Sequence, residues 1–322
     1  GDGARDFAFV DAVGTGAASV YLPRKHFGAG DWSGPNSTAD LLQYRIRDRT
    51  LPVNLIDELL QIGASANRQF ETPLDSQVVV ADWKVSEAPQ ASGVPGPIDL
   101  VLSRIDESSI LIANRHRGLA IIDRVQRADG KFLYRYQVVR NVRATEDGSI
   151  RFELVTRPST DPLRMVGAVS PEIFGRYHDE QSWLKITMGT VYPDSVVSMS
   201  RHMLWQPHLK ARATSHAADL VVTANPGWQF NTDNKPGTAH GHPFVETMRM
   251  SFFVAGPNIE REAIVTEPVR SVDLLPTVLE MVGVPFEDYD FDGRPIRSIY
   301  QSSSRETSSL SMPMIWQDVD LG

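Results

Sequence analysis

The chain has 322 residues, is 41% hydrophobic and 22% charged, and carries a formal net charge of −8. That balance fits a globular protein large enough for a sizeable core, and it argues against general affinity for nucleic acid or anionic membrane. There are no cysteines, so disulfides and thiolate metal sites are excluded, and any metal must be held by His, Asp, Glu, hydroxyl or backbone oxygen.

The opening stretch "FAFVDAVGTGAAS" (7–19) imitates a dinucleotide fingerprint. Its third glycine position holds Ser19, and "VYLP" follows where a helix would be needed, so a tight turn is the better reading. "ASVYL" (18–22) is a short strand, and the apolar spacing of Leu55, Ile56, Leu59 and Leu60 predicts a helix within 51–70. From about 75 to 160 the texture changes to short strand-like runs punctuated by turn residues, with a hairpin about "RHRG" between Ile110 and Gln126. Helices are predicted at 171–188, at 193–205 with Asp194 as N-cap, and at 271–284 with Ser271 as N-cap and Gly283 at the end. "ADLVVTA" (218–224) and "MSFFVAG" (250–256) read as buried strands. The alternation of strand, loop and helix predicts an α/β fold, a sheet covered by helices with an antiparallel β-rich segment. The expected organisation is one core over 1–300, with the 75–160 segment inside it, and a polar tail over 301–322.

Several apparent motifs have plain readings. "DYDFDGRPI" places Asp288, Asp290, Asp292 and Gly293 as a calcium loop would, but the twelfth position is Ile299 instead of Glu, so an acidic turn is favoured. In "YHDEQSW", His178 and Ser182 fall at i, i+4 spacing and suggest a solvent-side hydrogen-bonding cluster. No G-x-S-x-G, phosphate-loop lysine motif or H-E-x-x-H occurs, and no stretch approaches the ~20 apolar residues of a membrane span.

The stretch "KPGTAHGHPFVETMRMSFFVAGP" (235–257) has more context. His240 and His242 flank Gly241 on a small-residue loop beside apolar runs, and loops at strand ends are where α/β sheets keep their sites. Neutral imidazole is a common zinc ligand, yet on these residues alone a structural histidine stands slightly ahead of a metal ligand.

The succession "DLVVTANPGWQF", "GTAHG", "MRMSFFVAGPNI", "VRSVDLLPTVLEMVGVP" and "DGRPI" resembles the C-terminal core of the alkaline phosphatase superfamily, nearest its type I phosphodiesterase/nucleotide pyrophosphatase branch. "VDAVGTGAASVYL" and "IDLVLSRIDESSILIANRHRGLAIIDR" also look like the stretch between that superfamily's two metal-binding blocks. The resemblance implies a phosphoric ester hydrolase with two divalent metal ions, zinc being the usual one, and in-line attack at phosphorus by a Thr or Ser alkoxide. By that correspondence His240 is a metal ligand. His242 falls where the family commonly has another residue type, so it is a second ligand or a group that lines the pocket. The nucleophile, the Asp-His pair and the Asp-His-Gly block are not recognisable in this chain. The resemblance therefore implies that the site is completed from outside it, by a preceding segment or a partner chain. The alternative is a non-catalytic phosphatase-like scaffold or interaction subunit. No targeting segment is recognised, and the compartment is left unassigned.

Overall fold

The computed structural model describes residues 8–13, 16–24, 32, 34–46, 50–62, 96–204, 218–230, 240–256, 258–262, 264–286, 289 and 291–300. The chain divides into two compact units, Gly1–Arg249 and Met250–Gly322. The expected strand at 76–83 and the polar tail at 301–322 lie outside the described residues.

The first unit is built on a sheet of nine strands: β1 (Phe9–Val13), β2 (Ala17–Tyr21), β3 (Ile98–Arg104), β4 (Ser109–Asn114), β5 (Gly118–Gln126), β6 (Phe132–Ala144), β7 (Ile150–Leu154), β8 (His178–Asp179) and β9 (Leu220–Ala224). Their order is β1-β2-β9-β3-β4-β5-β6-β7, with β8 paired to β6. Every one of these pairings is antiparallel. The expected hairpin about "RHRG" is the β4–β5 turn, where Ala113 faces Leu119 and Gly118 takes φ 85°, a left-handed conformation that a side chain would strain. The late strand β9 inserts between β2 and β3, with Val222 opposite Ala18 on one side and Val101 on the other.

The helices are α1 (Thr38–Leu41), α2 (Leu55–Leu60), α3 (Glu180–Thr187), α4 (Ser195–Met203) and α5 (Val245–Met248) in this unit, and α6 (Leu274–Met281) in the second. Strand side chains alternate between two cores. Ile110, Ile112, Ala120, Ile122, Tyr134 and Tyr136 pack with Trp183, Val196, Val197 and Met203 of α3 and α4. Leu111, Ala113, Leu119, Ile121, Val139 and Val222 pack with Leu41, Tyr44, Ile56 and Leu60 of α1, α2 and their connection. Apolar residues on both faces explain why "LVL", "ILIA" and "LAII" read as continuous runs. Full burial of each Leu or Ile contributes about 1.5–3 kcal/mol, so the two cores are the main source of stability. The result is the expected α/β class, a mainly antiparallel sheet with helices on it.

Helix ends follow side-chain chemistry only in part. Asn54 caps α2 by accepting from the Asp57 amide at 3.0 Å, and Ser37 and Asp40 form a capping box on α1. Asp194 does occupy the N-cap of α4, but in a left-handed conformation (φ 57°) without a capping side-chain bond; its amide instead donates to Thr187 Oγ1 at 2.8 Å. The predicted helix at 171–188 shortens to α3, because Pro171 opens a separate 3-10 turn and His178–Asp179 pair with β6. Asp179 then caps α3 by accepting from the Ser182 amide at 2.7 Å. His178 therefore makes no i, i+4 helical pair with Ser182 and instead lies edge-on to Trp183.

In the second unit, a 3-10 turn at Ser271–Asp273 leads into α6, and Gly283 (φ 70°) follows its end. Asp273, not Ser271, organises this start: its carboxylate accepts from the Arg270 amide at 2.8 Å and the Arg294 amide at 2.9 Å. Ile259, Ile296 and Ile299 form a small core. The expected buried strand at 250–256 is overturned. Residues 250–255 have no strand pairing, and Met250 and Phe253 are 81% and 90% exposed. Among the described residues this unit offers only the isolated bridge Ile259↔Tyr300, so no sheet is present to accept a strand there. No helix of the described residues is long and apolar enough to cross a membrane.

Candidate functional site

The His240 loop meets the sheet at the C-terminal end of β9. Gly16, just before β2, accepts the Ala224 amide at 2.9 Å through its carbonyl and donates its own N–H to the His240 carbonyl at 3.0 Å. This close approach requires glycine: a Cβ on Gly16 would run into the His242 ring and the His242 backbone nitrogen. The "GTG" that imitated a phosphate loop thus has a packing reason at its second glycine.

Further mooring comes from both sides. His242 Nε2 lies 3.3 Å from the Trp228 carbonyl, and its ring stacks on Phe244 with centroids 5.7 Å apart. Phe244 is buried in the core with α3 and α4. The Val245 amide donates to the Val191 carbonyl at 2.9 Å, and Thr247 Oγ1 donates back to the His242 carbonyl at 2.7 Å. Arg249 donates to the Met188 carbonyl. The loop is therefore held at several points along its length, as a ligand-bearing loop must be if its geometry is set beforehand.

Behind it lies a buried polar network that the sequence reading did not single out. Asp99 is fully buried at the start of β3 and pairs with Arg117 Nη2 at 2.8 Å. Tyr192 donates to Asp99 Oδ2 at 2.7 Å, and Arg117 also donates to the Tyr192 hydroxyl at 2.8 Å and the Pro162 carbonyl at 2.9 Å. Asn114 donates to the Asp99 carbonyl and, through its own side-chain oxygen, accepts the amides of His116 and Arg117 at 2.9 Å. Burial, and then the Asp99 charge, push the Tyr192 phenol far up, so it stays a donor. Tyr192 also packs on Phe244 at 5.3 Å, which joins this network to the histidine loop. The one available signal was Asp99 itself, a lone acid in the apolar run "IDLVL".

His240 is exposed and His242 half-buried. A carbonyl oxygen cannot donate, so at 3.3 Å from Trp228 it is His242 Nε2 that carries the proton, while Gly16 backs onto the Nδ1 side of the ring. No group of three or more His, Cys, Asp or Glu is gathered to hold a metal ion among the described residues, which by themselves do not make up the three-ligand set of a catalytic zinc.

No family model and no solved structure matches the chain. Over 63 residues it is 41% identical to an extracellular sulfatase SULF-1 homolog of Drosophila melanogaster. That match covers 20% of this chain and 6% of the relative's length. Sulfatases belong to the alkaline phosphatase superfamily, so the similarity favours that kinship and does not speak for the phosphodiesterase branch.

Proposed function

We propose that this chain is part of a metal-dependent ester hydrolase of the alkaline phosphatase superfamily, with phosphate esters as substrate class and His240 as one ligand of a divalent-metal site. The other ligands, and the attacking hydroxyl, come from outside the described residues, and the metals are two ions, zinc in the first instance. The observation that carries this reading is the position of His240: an exposed histidine on a moored, small-residue loop at the end of the interior strand β9. In this reading His242 serves the loop, through Trp228 and Phe244, more than the ion. The short similarity to a sulfatase homologue supports a second substrate reading, a sulfate ester.

The test uses the full-length protein with metal content and hydrolysis measured in parallel. His240→Ala is expected to remove bound divalent metal and to lower ester hydrolysis beyond the ~10–100-fold typical of residues that only support a ligand. His242→Ala is expected to keep most of the metal. Unchanged metal stoichiometry in His240→Ala sinks the ligand assignment. Aryl phosphates and aryl sulfates assayed side by side decide the ester class, and a metal-loaded protein inert to both would instead be the non-catalytic scaffold.

A further inference from the structure

At the opposite end of strands β3–β5 from the histidine loop, a cleft of about 370 Å³ opens on the face that α1 and α2 cover elsewhere. Its volume sits at the small end of the ~300–1,000 Å³ range of ligand pockets. Two hairpins frame it, the β3–β4 turn with Asp106 and Ser108, and the β6–β7 hairpin with Ser149, Ile150 and Phe152. The register irregularity in β6 between Val139 and Asn141 bends this second hairpin, as a bulge does.

The floor is a hydrogen-bonded polar cluster. Asp123 and Arg135 are direct cross-strand partners, joined through Nε at 3.1 Å and Nη2 at 2.9 Å. Gln137 Nε2 donates to Asp123 at 3.0 Å, and the Tyr177 hydroxyl donates to its other oxygen. The Arg135 guanidinium also lies 4.5 Å from the centre of the Tyr177 ring. Asp123 is thereby saturated with donors and fixes the planes of Arg135, Gln137 and Tyr177, while the remaining N–H groups of Arg135 and the amide of Gln137 can serve a ligand. The walls are apolar: Ile105, Ile121, Val125, Ile150 and Phe152, the last 42% exposed.

We infer that this cleft binds a neutral carbohydrate, one or two pyranose rings. Charge complementarity selects the class. The lining carboxylates, Asp106 and Asp123, are matched by Arg124 and Arg135, so the cleft offers no net charge to an anion or a cation. A polar floor of rigid planar groups beside an aromatic face suits a ligand with adjacent hydroxyls on its edge and C–H groups on its face. A purely apolar ligand would desolvate the N–H groups of Arg135 and Gln137 that Asp123 does not take up, with nothing to accept them. The inference is independent of the role given to His240, since the two places share no residue.

Titration of the full chain with a panel of neutral gluco-, galacto- and manno-configured disaccharides, followed by calorimetry and saturation-transfer NMR, tests it. At least one is expected to bind with a dissociation constant of ~1 mM or tighter. Phe152→Ala should weaken it about tenfold, Phe152→Trp should retain it, and Ser108→Trp, at the exposed rim, should block it. Both positions are at the surface, and unchanged thermal unfolding of each of the three variants confirms the fold. The inference is overturned if no neutral sugar binds, if sulfated forms of the same sugars bind more tightly than the neutral ones, or if binding survives both Phe152→Ala and Ser108→Trp.

Discussion

Asp219 shows how much one buried acid can organise. It is 2% exposed just before β9, and it accepts from the Leu22 amide at 2.6 Å, from Asn36 Nδ2 at 3.0 Å and from the Asn36 backbone amide. Burial pushes its carboxyl above the ordinary 3.8, and those hydrogen bonds pull part of the way back. The sign follows from proton counting. A raised carboxyl keeps its proton in the folded chain at a pH where the unfolded chain has released it. Its contribution is thus fully present below 3.8 and is lost as pH rises through the raised value. Asp219→Asn removes the titration and turns one acceptor into an NH2 that faces N–H donors. It should cost about 1–3 kcal/mol near neutral pH. The gap from wild type in urea unfolding should widen toward about pH 4. A gap that stays constant with pH, or a neutral substitution, contradicts this account.

At the scale of elements, the histidine loop behaves as one moored unit, and Gly16 is its tightest point. Gly16→Ala forces the loop away from β2, because the new methyl would overlap the His242 backbone as well as its ring. The expected cost is about 1–3 kcal/mol, as for other overpacked sites. Amide hydrogen exchange should speed up at position 16 and at Val245, whose N–H groups bond His240 and Val191, and stay slow at Ile112 and Ile121 in the sheet centre. Unaltered exchange at position 16 would mean that the loop is not held there. Local sequence made this loop visible as small residues around two imidazoles. It could not show the partner, because Gly16 is far away in the chain. The same limit explains the other differences. Strands β3–β5 were legible because two-sided burial leaves unbroken apolar runs. The 250–256 run carries the same apolar signal without a pairing partner, and sequence reports the apolar signal alone. Asp99, Arg117 and Tyr192 meet from β3, the β4–β5 turn and the segment before α4, so no spacing rule could assemble them.

Within the first unit, four phenols, three of them in the core under α3 and α4, donate to buried or half-buried carboxylates. Tyr136 donates to Asp161 at 2.7 Å, Tyr192 to Asp99 at 2.7 Å, Tyr134 to Glu180 at 3.0 Å, and Tyr177 to Asp123. In each case burial is the larger cause and the neighbouring acid the next, and both drive the phenol upward: to about 12 for Tyr134 and Tyr177, and well above the ordinary value for Tyr136 and Tyr192. A raised phenol supports the fold fully below the ordinary value of 10. Above it the unfolded chain ionises first, so that support is lost as pH rises through the folded value. At ~1.4 kcal/mol per pH unit each, Tyr134, Tyr136 and Tyr192, all nearly without exposure, together remove about 4 kcal/mol per unit above pH 10. Typical domains hold only ~5–15 kcal/mol, so alkaline unfolding should be steep and set in above about pH 11. Tyrosinate absorbance should then rise in a step that coincides with loss of the circular dichroism of the sheet. Smooth, reversible ionisation of all eight tyrosines near pH 10 with the dichroism intact would show that these phenols do not support the fold.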